Sequence, residues 1–134
     1  MKSTIFKFIF TFLLLTVGIL NINAESAENA IQQYPNVLSA TVKHRGGNQF
    51  DFEVTVSSPY DSPERYADGF RVMEINGNVL GERMLFHDHA DEQPFTRDLR
   101  GVIIPQGVTM VVIQSRDQKY GYGGKQVEVL ISVR

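Results

Sequence analysis

Over residues 49–57 apolar and polar side chains alternate without a break, with Phe50, Phe52, Val54 and Val56 on one side and Asp51, Glu53, Thr55 and Ser57 on the other. A period of two sends successive side chains to opposite faces of extended backbone, so this run is amphipathic only as a strand with one dry face and one wet one. The pattern returns at the C-terminus, where Val127, Val129, Ile131 and Val133 alternate with Gln126, Glu128 and Ser132. No stretch beyond residue 36 shows a helical period.

Turn-forming residues divide the rest of the chain. Arg45-Gly46-Gly47-Asn48 separates a first run at 37–44 from the second at 49–57, and Asn76-Gly77-Asn78 joins runs at 69–75 and 79–86. Asn-Gly supplies the positive backbone angles of a tight hairpin. Further runs lie around 94–99, at 108–116 and at 125–134, giving seven strands spaced by polar or glycine-rich segments. That pattern predicts an all-β chain, a seven-stranded antiparallel sandwich of immunoglobulin or fibronectin type, with a small barrel as the alternative. The chain has no cysteine and no tryptophan, so it lacks the disulfide and core tryptophan of antibody domains. It is neither disulfide-stapled nor a cysteine-ligated zinc protein, and packing alone must hold it.

Residues 1–24 read as a secretory signal. Lys2 and Lys7 lead, an apolar run follows at 8–20, and a more polar stretch ends in Ile22-Asn23-Ala24, after which cleavage is expected. The run is shorter than the roughly 20 residues of a membrane-spanning helix, and an uncleaved anchor is the only route by which a membrane becomes a partner. With no thiol there is no lipid attachment. Residues 25–36 form a polar leader and 37–134 the folded domain. The composition looks bacterial, which places the chain in the periplasm or the medium. Removing Lys2 and Lys7 leaves it still more acidic than its formal charge of −2. Nucleic acid is therefore excluded as a partner, since phosphate binding rests on clustered Lys and Arg.

If successive strands run in opposite directions, their connections alternate between the two ends of the sandwich. Segments 45–48, 76–78 and 101–107 then share one end, and they are short and bland. Segments 58–68, 87–93 and 117–124 share the other, and they carry Tyr60, Tyr66, Tyr120 and Tyr122, both His87 and His89, and many carboxylates. Phe50, Phe52, Phe70, Phe86 and Phe95 lie in or beside strands, so plain aromatics are expected in the core and hydroxylated ones at one end. Tyr60, Tyr66, Asp117, Tyr120 and Tyr122 are the expected surface for a glycan or protein partner.

His87-Asp88-His89 is the sharpest short feature. Residues two apart on extended backbone point the same way, so both imidazoles can reach one ion, with Asp91 or Glu92 supplying an oxygen; Zn or Cu is the metal such donors take. The competing reading is a pair of ordinary histidines at a strand end. Asp61, Glu64, Asp68, Asp91 and Asp117 offer a calcium site if they converge, although their spacing fits no EF-hand. The Tyr120-Gly121-Tyr122-Gly123-Gly124 segment reads as a grip for a sugar or peptide, or as a flexible hairpin tip. Arg97, Asp98 and Arg100 read as a solvated charge cluster. Catalytic signatures are missing: no thiol, no nucleophile elbow, no zinc-protease helix, no dinucleotide fingerprint. Ser57 or Ser58 meeting a histidine is the one hydrolytic arrangement the loops permit, and no catalytic residue is assigned.

The string His87-Asp88-His89-Ala90-Asp91-Glu92-Gln93-Pro94-Phe95-Thr96-Arg97, followed by residues 101–108 and then by Arg116-Asp117 and Gly121-Tyr122-Gly123-Gly124, is similar to a family of small exported bacterial proteins of uncharacterised function. The resemblance covers roughly residues 68–133. Family members often carry proline between the two histidines, where this chain has Asp88. The resemblance implies export and an immunoglobulin-like β fold, and it transfers no catalytic residue.

Overall fold

A computed structural model describes residues 32–132. The expected signal segment and most of the polar leader lie outside the described residues. The seven strands are β1 (Asn36–Gly46), β2 (Gln49–Ser57), β3 (Ala67–Glu74), β4 (Val79–Met84), β5 (Phe95–Ile103), β6 (Met110–Asp117) and β7 (Gly121–Leu130). They form two antiparallel sheets in the orders β1-β2-β5 and β4-β3-β6-β7, the all-β sandwich of immunoglobulin/fibronectin type that the alternation predicts.

The dry face of β2 is the one read from the sequence. Phe50, Phe52, Val54 and Val56 are buried and meet Phe70 and Val72 of β3, Val111 and Ile113 of β6, and Phe95. Burying each such side chain contributes about 1.5–3 kcal/mol. Phe86 departs from the expectation. Leu85 takes the inward position, donating its backbone N–H to the Asp68 carbonyl (2.9 Å), and alternation throws Phe86 outward, where it is 84 % exposed.

One strand runs longer than the sequence suggests, and another is displaced toward the N-terminus. β5 continues to Ile103 by absorbing Gly101 at φ +67°. β7 begins at Gly121, so the glycine-rich segment is strand rather than a hairpin tip, and only 118–120 remain as the turn. The reason lies in residues 34–36. The Tyr34 ring lies where a Cβ on Gly123 would stand, and the Pro35 carbonyl oxygen where one on Gly124 would stand. The Ser115 hydroxyl donates to the Pro35 carbonyl (2.8 Å), and the Asn36 side chain accepts from the Lys125 N–H (2.8 Å). The glycines make room for the chain's own backbone. Gly124→Ala combines a positive φ (+75°) with a backbone collision and is expected to cost about 2 kcal/mol in urea unfolding. A cost below about 0.5 kcal/mol would mean that residues 34–36 are not seated against β7 in solution.

Candidate functional site

Alternation of the connections places the loops as expected: 58–66, 85–94 and 118–120 meet at one end. Asp61 accepts from the Ala67 N–H (3.0 Å) and the His89 N–H (3.0 Å), joining the first loop to the second. Gln93 accepts from the Ser58 N–H (2.8 Å) and donates to the Ser58 hydroxyl (3.3 Å) and the His89 carbonyl (3.0 Å). The Tyr66 carbonyl accepts from the Gln118 N–H (3.0 Å), which brings in the third loop.

That end divides into two chemically different parts. One is built on Asp117, expected on the partner surface but fully buried. Its carboxylate accepts from the Tyr60 hydroxyl (2.6 Å), the Lys119 and Tyr120 backbone N–H groups (2.9 and 2.8 Å) and the Arg65 guanidinium. Burial raises the Asp117 pKa, but these donors together outweigh it and hold the carboxyl below its usual range. Burial, with Asp117 alongside, pushes the Tyr60 phenol far up. Arg65 lies over the Tyr60 ring (4.2 Å to its centroid) and the Tyr120 ring (4.9 Å), and it donates to the carbonyls of Gln32 and Gln33. Tyr34 meets Tyr120 edge-on at 6.2 Å.

Tyr60, Tyr120 and Asp117 are thus engaged with Arg65, which clamps residues 32–35 to the sandwich. Tyr120 keeps 44 % of its surface. Tyr122 lies apart, on the outer face of the four-stranded sheet, where its hydroxyl donates to Glu82 (3.1 Å), Arg71 stacks on its ring (3.9 Å), and burial raises its pKa to about 12. Tyr66 is half-buried. No local pattern marks Arg65 or Tyr34 for this cluster, because both owe their place to contacts between distant segments.

The carboxylates do not converge as a calcium site requires. Asp61 and Asp117 spend their oxygens on N–H and O–H donors, Asp68 pairs with Arg116 (3.2 Å), and Glu64 and Asp91 are exposed. Among the described residues no group of three or more His, Asp or Glu side chains is placed to hold an ion.

The second part is a cleft of about 350 Å³ lined by Arg83, Met84, Leu85, Phe86, His87, His89 and Arg97. The 87–97 string builds it residue by residue. Asp88 accepts from the Ala90 N–H (3.2 Å) and turns the chain, Gln93 ties the loop to Ser58, Glu92 pairs with Arg97 (2.9 Å), and the Gln93–Pro94 peptide is cis. Phe95 enters the core and stacks under His89, with ring centroids 4.0 Å apart and planes within 15°. The His89 side chain is 3 % exposed, and its Nδ1 has no hydrogen-bond partner; Asp61 Oδ2 stands 3.9 Å away. Burial, with Arg97 and His87 nearby, lowers its pKa and keeps the ring neutral. His87 is exposed, its Nδ1 2.9 Å from the Asp88 carbonyl, and its ring lies 5.0 Å from that of His89. The structure therefore brings the two imidazoles together and leaves Asp91 outside. Arg97, Asp98 and Arg100 are paired as well as solvated: Arg100 and Arg83 share Asp98. Ser58 is buried, and its hydroxyl accepts from the Gln93 side chain.

No protein-family model matches this chain, and no solved structure does. The chain is similar to a "Putative lipoprotein" of Halomicrobium mukohataei, with 38 % identity over 94 residues. The match takes in 70 % of this chain and 46 % of that relative, so the chain spans about half of the relative's length.

Proposed function

We propose that this protein is an exported binding module, not an enzyme, and that its site is the β4–β5 cleft, where His87 and His89 hold a transition metal. The leader at 1–24 and the lipoprotein name of the relative support a secreted or envelope-associated location. One observation carries the site: His89 is packed rigidly on Phe95, has Asp61 behind Nδ1, and lines the cleft with a second imidazole 5.0 Å away. The Phe95 stack and the bond from the His89 backbone N–H to Asp61 hold the residue in one orientation, as the outer contacts of metal-binding histidines do. Zn and Cu are the ions such donors take.

Titration of the exported chain with Zn(II) and with copper, followed by calorimetry and thermal melting, tests this reading. One ion per chain is expected, with binding about tenfold or more weaker in His87→Ala. Because His87 is exposed, that variant should melt where the parent does. An exported chain whose melting no ion shifts, and which takes up none, overturns the metal reading. The search for a glycan or protein partner would then turn to Tyr66 and Tyr120.

A further inference from the structure

We propose that the ion is copper in its monovalent state, and that the third ligand is the thioether of Met84. The inference rests on the preceding reading, that the two histidines are ligands, and deepens it by naming the metal and completing the donor set.

Met84 is the last residue of β4, is 40 % exposed and lines the same cleft as both rings. The donors there are two imidazoles and a thioether. Thioether sulfur is a soft ligand that selects Cu(I), whereas Zn(II) takes four nitrogen, thiolate or carboxylate ligands in a tetrahedron. The carboxylates close by are engaged elsewhere: Glu92 on Arg97 (2.9 Å), Asp98 on Arg83 (3.0 Å), and Asp61 on backbone N–H groups. Among the described residues no third His, Asp or Glu side chain is placed to join the two imidazoles on an ion.

The chain has no cysteine, so the thioether is the soft sulfur it can offer.

The experiment is an anaerobic titration of the exported chain with Cu(I) against a colorimetric Cu(I) chelator, with Zn(II) as the competitor and X-ray absorption at the copper edge. The parent is expected to take one Cu(I) per chain, to keep it against excess Zn(II), and to show a sulfur neighbour. Met84→Leu conserves volume at a half-exposed position, so its fold should stand. It should bind Cu(I) about tenfold or more weakly and lose the sulfur signal. Equal binding in Met84→Leu with no sulfur signal in the parent overturns the thioether while the histidine reading survives. Zn(II) displacing Cu(I) overturns the choice of ion but leaves the site. Binding of neither ion overturns both this inference and the reading beneath it.

Discussion

Asp117→Ala should lower stability by about 3–5 kcal/mol, the largest effect expected of any single substitution outside the core. The carboxylate is fully buried and satisfies the Tyr60 hydroxyl, the Arg65 guanidinium and two backbone N–H groups. Its removal leaves a cation and three donors unpaired, each in or near the interior. For a domain of this size about 1 kcal/mol corresponds to roughly 4–8 °C in melting temperature, so the loss should be plain in a thermal scan. Asp117→Asn separates charge from shape. The Asp117 pKa is depressed in the folded state, so its stabilisation is present above the unfolded value near 3.9 and is lost as pH falls through the lower folded value. The gap between the parent and Asp117→Asn should hold near neutrality and narrow on acidification below about pH 4. A gap that widens in acid, or an alanine variant within about 1 kcal/mol of the parent, would show that the buried cluster is not a structural clamp.

Phe95→Ala is expected to cost about 3–5 kcal/mol, as truncations of buried phenylalanine do. The ring is fully buried, packs in the core and carries His89 on its face at 4.0 Å. The milder Phe95→Leu keeps most of the volume and removes the flat support. It should cost no more than about 1.5 kcal/mol while weakening metal binding, because His89 loses the surface that orients it. Urea unfolding and metal titration on the same samples separate the two effects. Unchanged affinity in Phe95→Leu would mean that the stack does not position the imidazole.

Much of the architecture was legible because a two-residue period leaves only one way to bury Phe50, Phe52, Val54 and Val56 together. Alternating connections also brought the three long loops to one end, which the Asp61–His89, Ser58–Gln93 and Tyr66–Gln118 contacts display. The chemistry of that end was less legible. Tyrosines and an aspartate in loops look alike in sequence whether they face solvent or each other, and here Arg65 stacks on Tyr60 and Tyr120 and pairs with the buried Asp117. Glycine density likewise does not reveal whether the room it leaves is filled by a ligand or, as at Gly123 and Gly124, by Tyr34 and Pro35.

The sequence by itself determined the strands, the sheet class and the nearness of His87 to His89, because these follow from local periodicity and from residues two apart on one chain. Only the tertiary structure decided that Asp117 is a buried anchor, that Phe86 faces outward, and that Met84 joins the two imidazoles in one cleft. Each depends on which distant segment comes to lie against the residue, and so on its desolvation, which no local pattern encodes.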